Sequence, residues 1–374
     1  MERFIAVDTG KFATKVSEAD PKLNCLKREF SIRTKYGEGD FRDDAIEAQT
    51  VIAQVGDKVY KVGNGARDEE AGLDTSKKTE IHKVCTLVAL ATVASSNEKD
   101  VFHVATGIPC SEWANVSKRC DFKEYLLPEG DITVTIKTKS SLPPVKKTFT
   151  IKERYVYPEG IGGVLADGVF ENVSENPHIP TGVIDAGNLN INFTYWQGLE
   201  PILDKCTTSE AGGVRLISDV AGDISSSIDN CDSLIISNIL TNAPEDRCLP
   251  SGLGLTDEQI EESKRVIKNS IKKYVQKNMY RNCRSKDWSL NAMRIIAIGG
   301  TSQIVEDELK EQFGNVTVLP NANYCNARGY LRLMCANSKD YGERIIEFKF
   351  ADEEKNETKM AEKEAGDETE QKAS

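Results

Sequence analysis

The sequence predicts an α/β fold built from two similar halves. Three observations carry that expectation. A chain of 374 residues has the length of about two domains rather than one core. Strand and helix signals alternate along it. One pattern, an apolar strand ending in Asp-x-Gly and followed by a second strand, occurs twice, in FIAVDTG and in TGVIDAG.

In chain order, Phe4 to Val7 reads as a short buried strand, and Thr14 to Glu18 as its return arm in a hairpin. Residues 30–80 are polar and rich in turn residues and read as a small inserted subdomain. Residues 81–97 read as a helix whose apolar run, Val84 to Ala94, is about half the roughly 20 residues needed to cross a bilayer. Residues 101–106 and 131–138 read as strands, the second with the alternation of a half-exposed one. The second half opens near Thr181 with the strand Gly182 to Asp185, and Leu189 to Trp196 returns after a turn. Thr256 opens a long helix with a capping box to Gln259, and Ile260, Val266, Ile267, Ile271, Tyr274 and Val275 recur at helical spacing. Residues 294–298 form a buried strand that ends at Gly299-Gly300, and Ser302 to Phe313 is a helix. From Ala351 to Ser374 nine acidic and four basic residues surround a single large apolar residue, Met360. Such a segment cannot bury enough surface to offset its ordering entropy, so a solvated tail is expected.

The composition excludes several classes. A formal net charge of −11 argues against direct coating of DNA or of an anionic membrane. The ten cysteines contain no Cys-x-x-Cys pair, so no zinc knuckle or redox motif is visible, and the opening MERFIAVDTG lacks a signal-peptide layout. Reduced thiols and a cytoplasmic location are expected.

The duplicated turn carries the chemistry. A tight Gly turn leaves successive backbone N–H groups free to face phosphate oxygens. Asp8 and Asp185, one from each half, supply carboxylates for a hydrated Mg²⁺, which usually keeps several waters beside one or two carboxylates. Gly10-Lys11 is not a P-loop, because Ile5 and Phe12 stand where that motif needs Gly and Ser or Thr; Lys15 is the better phosphate-facing cation. Gly299, Gly300 and Thr301 between strand and helix allow close approach of a flat ring. Glu159, held after Pro158 and before a Gly-rich loop, is placed to orient a water that attacks a γ-phosphate, a reaction that needs positioning more than a strong base. Each signal alone is most often an ordinary turn or a solvated residue; the ordered pairing is what points to a nucleotide.

The series Asp8-x-Gly10, Pro158-Glu159, Asp185-x-Gly187, Gly299-Gly300-Thr301 and Asn326-Ala-Arg-Gly329 resembles the phosphate 1, connect 1, phosphate 2, adenosine and connect 2 segments of the actin / sugar kinase / Hsp70 ATPase superfamily. Within it the chain looks most like the bacterial ParM/StbA and Alp proteins of plasmid segregation: Thr106-Gly107-Ile108-Pro109 is similar to their TGLP stretch. The resemblance spans roughly residues 1–345. It implies an actin-like ATPase fold with duplicated RNase H-like cores and a central nucleotide cleft. Lobe I would hold residues 1–180 with the insertion near 30–80, and lobe II residues 181–324 with a small subdomain near 216–290. Residues 325–348 would return to lobe I, and 351–374 would be the tail. It further implies that Asp8 and Asp185 face Mg²⁺ through water, that Gly10, Lys11, Phe12 and Lys15 line the first phosphate hairpin, and that Gly187, Asn188 and Leu189 line the second. Glu159 and Asp185 would be the catalytic pair, Gly299, Gly300 and Thr301 would border the nucleoside, and Gly212 and Gly213 would lie near the ribose. Lys11 and Phe12 depart from the Ser and Gly of actin. The implied activity is an ATPase or GTPase coupled to assembly of a homopolymeric filament, reaching plasmid DNA through a DNA-binding adaptor of ParR type and touching neither nucleic acid nor membrane itself. A small-molecule kinase of the same fold and a scaffold that does not hydrolyse nucleotide are the alternatives. Hsp70 is disfavoured for want of a peptide-binding domain, and a membrane-bound cell-shape filament for want of an N-terminal amphipathic helix.

Overall fold

The computed structural model describes residues 1–350 apart from 68, 71, 73–75 and 229–230; the expected acidic tail at 351–374 lies outside the described residues. In chain order the strands are β1 (Glu2–Thr9), β2 (Ala13–Asp20), β3 (Cys25–Arg33), β4 (Lys35–Glu38), β5 (Thr50–Val55), β6 (Lys58–Gly63), β7 (Glu69–Glu70), β8 (Asp100–Ile108), β9 (Asp131–Thr138), β10 (Ser141–Pro158), β11 (Thr181–Ala186), β12 (Ile191–Gln197), β13 (Glu200–Pro201), β14 (Thr207–Ser209), β15 (Arg294–Ile298), β16 (Val316–Val318) and β17 (Glu347–Phe350). They form two sheets. The first has the order β17-β3-β2-β1-β8-β10-β9-β5-β6-β4-β7, and the second β13-β12-β11-β15-β16, with β14 also on β12.

The two sheets repeat one arrangement. β1 pairs antiparallel with β2 and parallel with β8; β11 pairs antiparallel with β12 and parallel with β15. β1 and β11 are central strands covered on both faces, which is why both read as unbroken apolar runs. The carboxyl ends of β1, β8, β10, β11 and β15 deliver Asp8, Pro109, Glu159, Asp185 and Gly299 to one cleft, the edge where open α/β sheets bind ligands.

The polar stretch before residue 80 is strand-rich. β5 pairs with β9, and β6, β4 and β7 follow, so it continues the first sheet by hydrogen bonds. The helix expected at 81–97 spans Glu80–Val93 and is buried along most of its length. It stops where the Lys147 ammonium donates to the Ala94 carbonyl and the chain turns extended. Thr256 forms the expected capping box with Gln259, opening the helix Asp257–Val275. The helix expected from Ser302 to Phe313 is two helices, Gly300–Ile304 and Glu306–Phe313. Val305 leaves helical geometry between them and its side chain is buried in the core.

Three apolar clusters hold the molecule together. One lies under the first sheet around Val88, Phe102 and Phe149, and a second under the second sheet around Phe193, Ile271 and Trp288. The third joins the halves, packing Phe4 and Ala6 of β1 with Val183, Trp196 and Ile296 of the second sheet. The last helix, Cys325–Asn337, belongs to this third cluster. It is pinned to β3 by two hydrogen bonds from the Arg328 guanidinium to the Glu29 carboxylate, at 2.8 and 2.6 Å. A Cβ on Gly329 would lie 2.5 Å from Gly162 Cα, so only glycine lets this helix approach the loop after Glu159 so closely. β17 then pairs with β3.

Candidate functional site

Two matching hairpins face the cleft. In the first, the Gly10 N–H donates to the Ala13 carbonyl at 3.1 Å; in the second, the Gly187 N–H donates to the Asn190 carbonyl at 2.9 Å. Each closes a four-residue loop between paired strands, Thr9 with Thr14 and Ala186 with Ile191. Across its own hairpin Asp8 sits opposite Lys15, and Asp185 opposite Asn192. The Asp-turn repeat therefore extends to its return arm, with a cation in one copy and an amide in the other.

The cleft encloses about 430 Å³, within the usual range for small-molecule sites. Of the residues expected from sequence, Asp8, Gly10, Lys11, Phe12, Lys15, Glu159, Asp185, Gly187, Asn188, Leu189, Gly213, Gly299, Gly300 and Thr301 all line it. Gly212 does not. It precedes the helix Gly213–Ser227, and a Cβ there would lie 2.5 Å from the Asn188 carbonyl oxygen, so it supports the second hairpin from behind. Lys11 is buried, while Phe12 is partly exposed at the rim with the Arg33 guanidinium 3.2 Å above its ring centre. Thr301 donates its hydroxyl to the Gly187 carbonyl at 2.9 Å, joining the strand-to-helix turn to the second hairpin. Gly299 takes φ +86 with a Cβ position 2.4 Å from the Ala186 carbonyl oxygen, a conformation and a closeness that exclude other residues.

Three carboxylates and two ammoniums meet at the base. The Asp8 carboxylate contacts Lys15 Nζ at 3.3 Å and Lys77 Nζ at 3.4 Å. Lys77 Nζ also lies 2.5 Å from Glu159 Oε1. Asn192 donates to Glu159 Oε2 at 2.7 Å and accepts the Thr208 hydroxyl at 2.8 Å. Asn326 donates to Asp185 Oδ2 at 2.7 Å and accepts the Gly160 N–H at 3.1 Å. Burial alone would raise Asp8, but the Lys15 and Lys77 ammoniums together outweigh it and hold the carboxyl below its usual range. Burial, with the negative charge of Glu159 and then Asp8, pushes Asp185 up to about 6. Lys77 is raised: burial opposes its charge, and Glu159 and Asp8 overcome the effect.

These donors suit a hard divalent cation beside phosphates: buried carboxylate oxygens at the base, and two hairpins that each bring a glycine to the cleft wall. Further out the wall turns apolar, with Leu216, Ile217, Leu240 and Ile304 next to Ser237 and Thr241. Lys77, Asn192 and the amide of Asn326 are site residues that motif reading did not assign. The hairpin repeat offered a signal for Asn192, which follows Asp185 at the distance Lys15 follows Asp8. Lys77 lies in a stretch of ordinary polar composition and has no local signal.

Two duplicated halves with hairpins facing across a cleft are the actin-like fold. The solved structures agree with that class. The chain is similar to an Alp12 filament structure (TM-score 0.64, 21% identity, 90% of this chain and 98% of that one). It is also similar to a ParM filament from Clostridium botulinum (0.63, 14%, 89% and 99%) and to an archaeal actin homologue in complex with ADP (0.59, 15%, 87% and 97%). No curated protein matches it in sequence. Residues 6–162 match the family described as the actin-like proteins' N-terminal domain. The fold is therefore actin-like, in agreement with the resemblance to the ParM and Alp group read from the sequence. Among the described residues no helix is long and apolar enough to cross a membrane.

Proposed function

We propose that this protein is a nucleotide-driven, filament-forming ATPase or GTPase. The observation that carries the reading is the convergence of Asp8, Glu159 and Asp185, from three separate strand ends, on one cleft lined by two glycine hairpins. Support comes from the filament structures to which the chain is similar and from the archaeal homologue solved with ADP. Asp8 and Asp185 would hold a hydrated Mg²⁺, which when bound offsets charge on the phosphate oxygens. The hairpin N–H groups with Lys15 and Lys77 would hold the phosphate tail. Glu159, held by Lys77 and Asn192, would orient the attacking water. The apolar wall near Leu216 and Ile304 would cover the base, with Gly213, Gly299, Gly300 and Thr301 beside the nucleoside.

In this reading residues 1–180 form lobe I, 181–324 lobe II, and 325–348 return to lobe I. Hydrolysis would weaken subunit contacts by changing what the two lobes grip. The acidic chain would work in the cytoplasm and reach plasmid DNA through a ParR-type adaptor. Electron microscopy with and without ATP or GTP, run beside phosphate release, tests the reading. Nucleotide-dependent filaments with phosphate release support it, and their joint absence refutes it. Glu159→Ala should slow release and leave filaments that persist; normal release by that variant would remove Glu159 from its role.

A further inference from the structure

A second cluster of metal-ligating side chains lies away from the cleft. His103 on β8 is fully buried, stacked on Phe4 of β1 with ring centres 4.3 Å apart. Its Nδ1 is 2.7 Å from Glu153 Oε2, and that carboxylate also accepts the Ser338 hydroxyl at 2.8 Å. The Glu153 carboxylate accepts from Nδ1–H, which leaves Nε2 as the ring nitrogen open to another partner. Nε2 has no hydrogen-bond partner among the described residues. It faces two carboxylate oxygens instead, Glu2 Oε1 and Asp340 Oδ2, each at 3.8 Å. One donor atom from each of the three residues lies within 4.8 Å of the others.

A buried imidazole nitrogen that has no hydrogen bond among the described residues and faces two carboxylate oxygens is an arrangement that a cation completes. The cation now nearby is Lys152, whose Nζ is 3.2 Å from Glu2 and 2.7 Å from Asp340. The β8–β10 pairing slips between Ile151 and Glu153, so Lys152 is the extra residue of a bulge. The bulge brings adjacent Lys152 and Glu153 to the same imidazole and its carboxylates. Lys152 is about half exposed, at 47%, and is free to withdraw into solvent. Two ligands about 2.1 Å from a tetrahedral metal are roughly 3.4 Å apart, so separations of 3.8 Å need little adjustment.

We propose that Glu2, His103 and Asp340 bind a first-row divalent cation of the zinc class, with Glu153 as the carboxylate that orients the ligating histidine. An imidazole with two carboxylates favours that class over Mg²⁺ or Ca²⁺, which take oxygen donors. Such a metal ties the start of β1 and the middle of β8 to the turn after the last helix, the helix whose Asn326 holds Asp185. It acts as a clamp on the returning segment.

Co²⁺ titration of the untagged, chelator-stripped full chain in excess Mg²⁺ tests this. One equivalent should bind with the strong visible bands of a low-coordinate nitrogen–oxygen site and without a thiolate charge-transfer band, and equimolar Zn²⁺ should displace it. The bound metal should also raise the melting temperature. His103 packs in the core, so the decisive variants are the more exposed Glu2→Gln and Asp340→Asn. Each should bind at least about tenfold more weakly while melting like the wild type without metal. Lys152→Gln should bind more tightly, because the competing ammonium is gone. Absence of binding by the wild type, unchanged affinity in both carboxylate variants, or a thiolate band on the bound ion would each overturn the assignment.

Discussion

Lys77 Nζ lies 2.5 Å from Glu159 Oε1, joining a loop ahead of the first long helix to the end of β10. Both side chains are buried, and Asp8 shares the same ammonium. Lys77 thus stands among the carboxylates that the proposed Mg²⁺ would face. Lys77→Met should leave this acidic group short of a buried charge and cost about 3–5 kcal/mol. Urea unfolding near neutral pH measures it. Most of the loss should be recovered at about pH 5, where protonation relieves the repulsion, and phosphate release should fall at any pH.

Asp185 gives a pH prediction of defined sign. Its carboxyl is held at about 6, against 3.8 for an ordinary aspartate, chiefly by burial and by Glu159. The folded state binds the proton more tightly than the unfolded chain, so this group's contribution to stability falls as pH rises from about 4 to about 6. A shift of that size corresponds to about 3 kcal/mol. Asp185→Asn should therefore stabilise the nucleotide-free protein at about pH 8 and change little at about pH 4. Mg²⁺-nucleotide affinity should run the opposite way, lost in the wild type as pH falls through about 6 and absent in the variant. Parallel melts and binding titrations across pH measure both.

Asp8, Glu159 and Asp185 were legible in the sequence because each is announced by its own backbone: an apolar strand stops, and glycine or proline fixes the exit. Their chemistry is local even though their meeting is not. Lys77 has no such frame, since a lysine in a polar stretch looks the same whether solvated or buried; Asn192 is marked only by the hairpin repeat, and Asn326 only as the first residue of its series, with nothing local to say what its amide holds. Their roles arise from which strand ends and helix ends the fold brings together. The strands of residues 30–80 were hidden for a similar reason. β5 is a strand because β9, far along the chain, gives it an edge to pair with. Val305 breaks its helix for packing that no window of periodicity contains.

Gly107, in the Thr-Gly-Ile-Pro stretch, carries a packing prediction. A Cβ there would lie 1.9 Å from the Tyr330 oxygen and 2.2 Å from its Cζ, and Tyr330 is fully buried. Gly107→Ala should cost at least about 1–3 kcal/mol as overpacking at the end of β8. Tyr330→Phe should not rescue it, because Cζ remains; Tyr330→Leu should, in part. Alone, Tyr330→Phe should be close to neutral, since its hydroxyl has no hydrogen-bond partner among the described residues. A double-mutant cycle in urea separates these outcomes.

Asn326 tests whether the last helix takes part in the cleft or only covers it. Its amide donates to Asp185 and its carbonyl oxygen accepts from Gly160, so one side chain links the end of β11 to the loop after β10. Asn326→Ala leaves a buried carboxylate oxygen and a backbone N–H unpaired, about 1–3 kcal/mol for each group. Phosphate release should fall by more than nucleotide affinity, because Gly160 directly follows Glu159 and both carboxylates lose their fixed aim. Asn326→Asp sharpens the test. A fourth carboxylate beside Asp185 replaces a donor with a like charge and raises the Asp185 pKa further. The pH midpoint for Mg²⁺-nucleotide binding should then move above about 6, whereas the Ala variant, which removes only the hydrogen bond, should move it less. If both variants keep the wild-type midpoint while losing stability, the helix is a cover and Asp185 is set by its own hairpin alone.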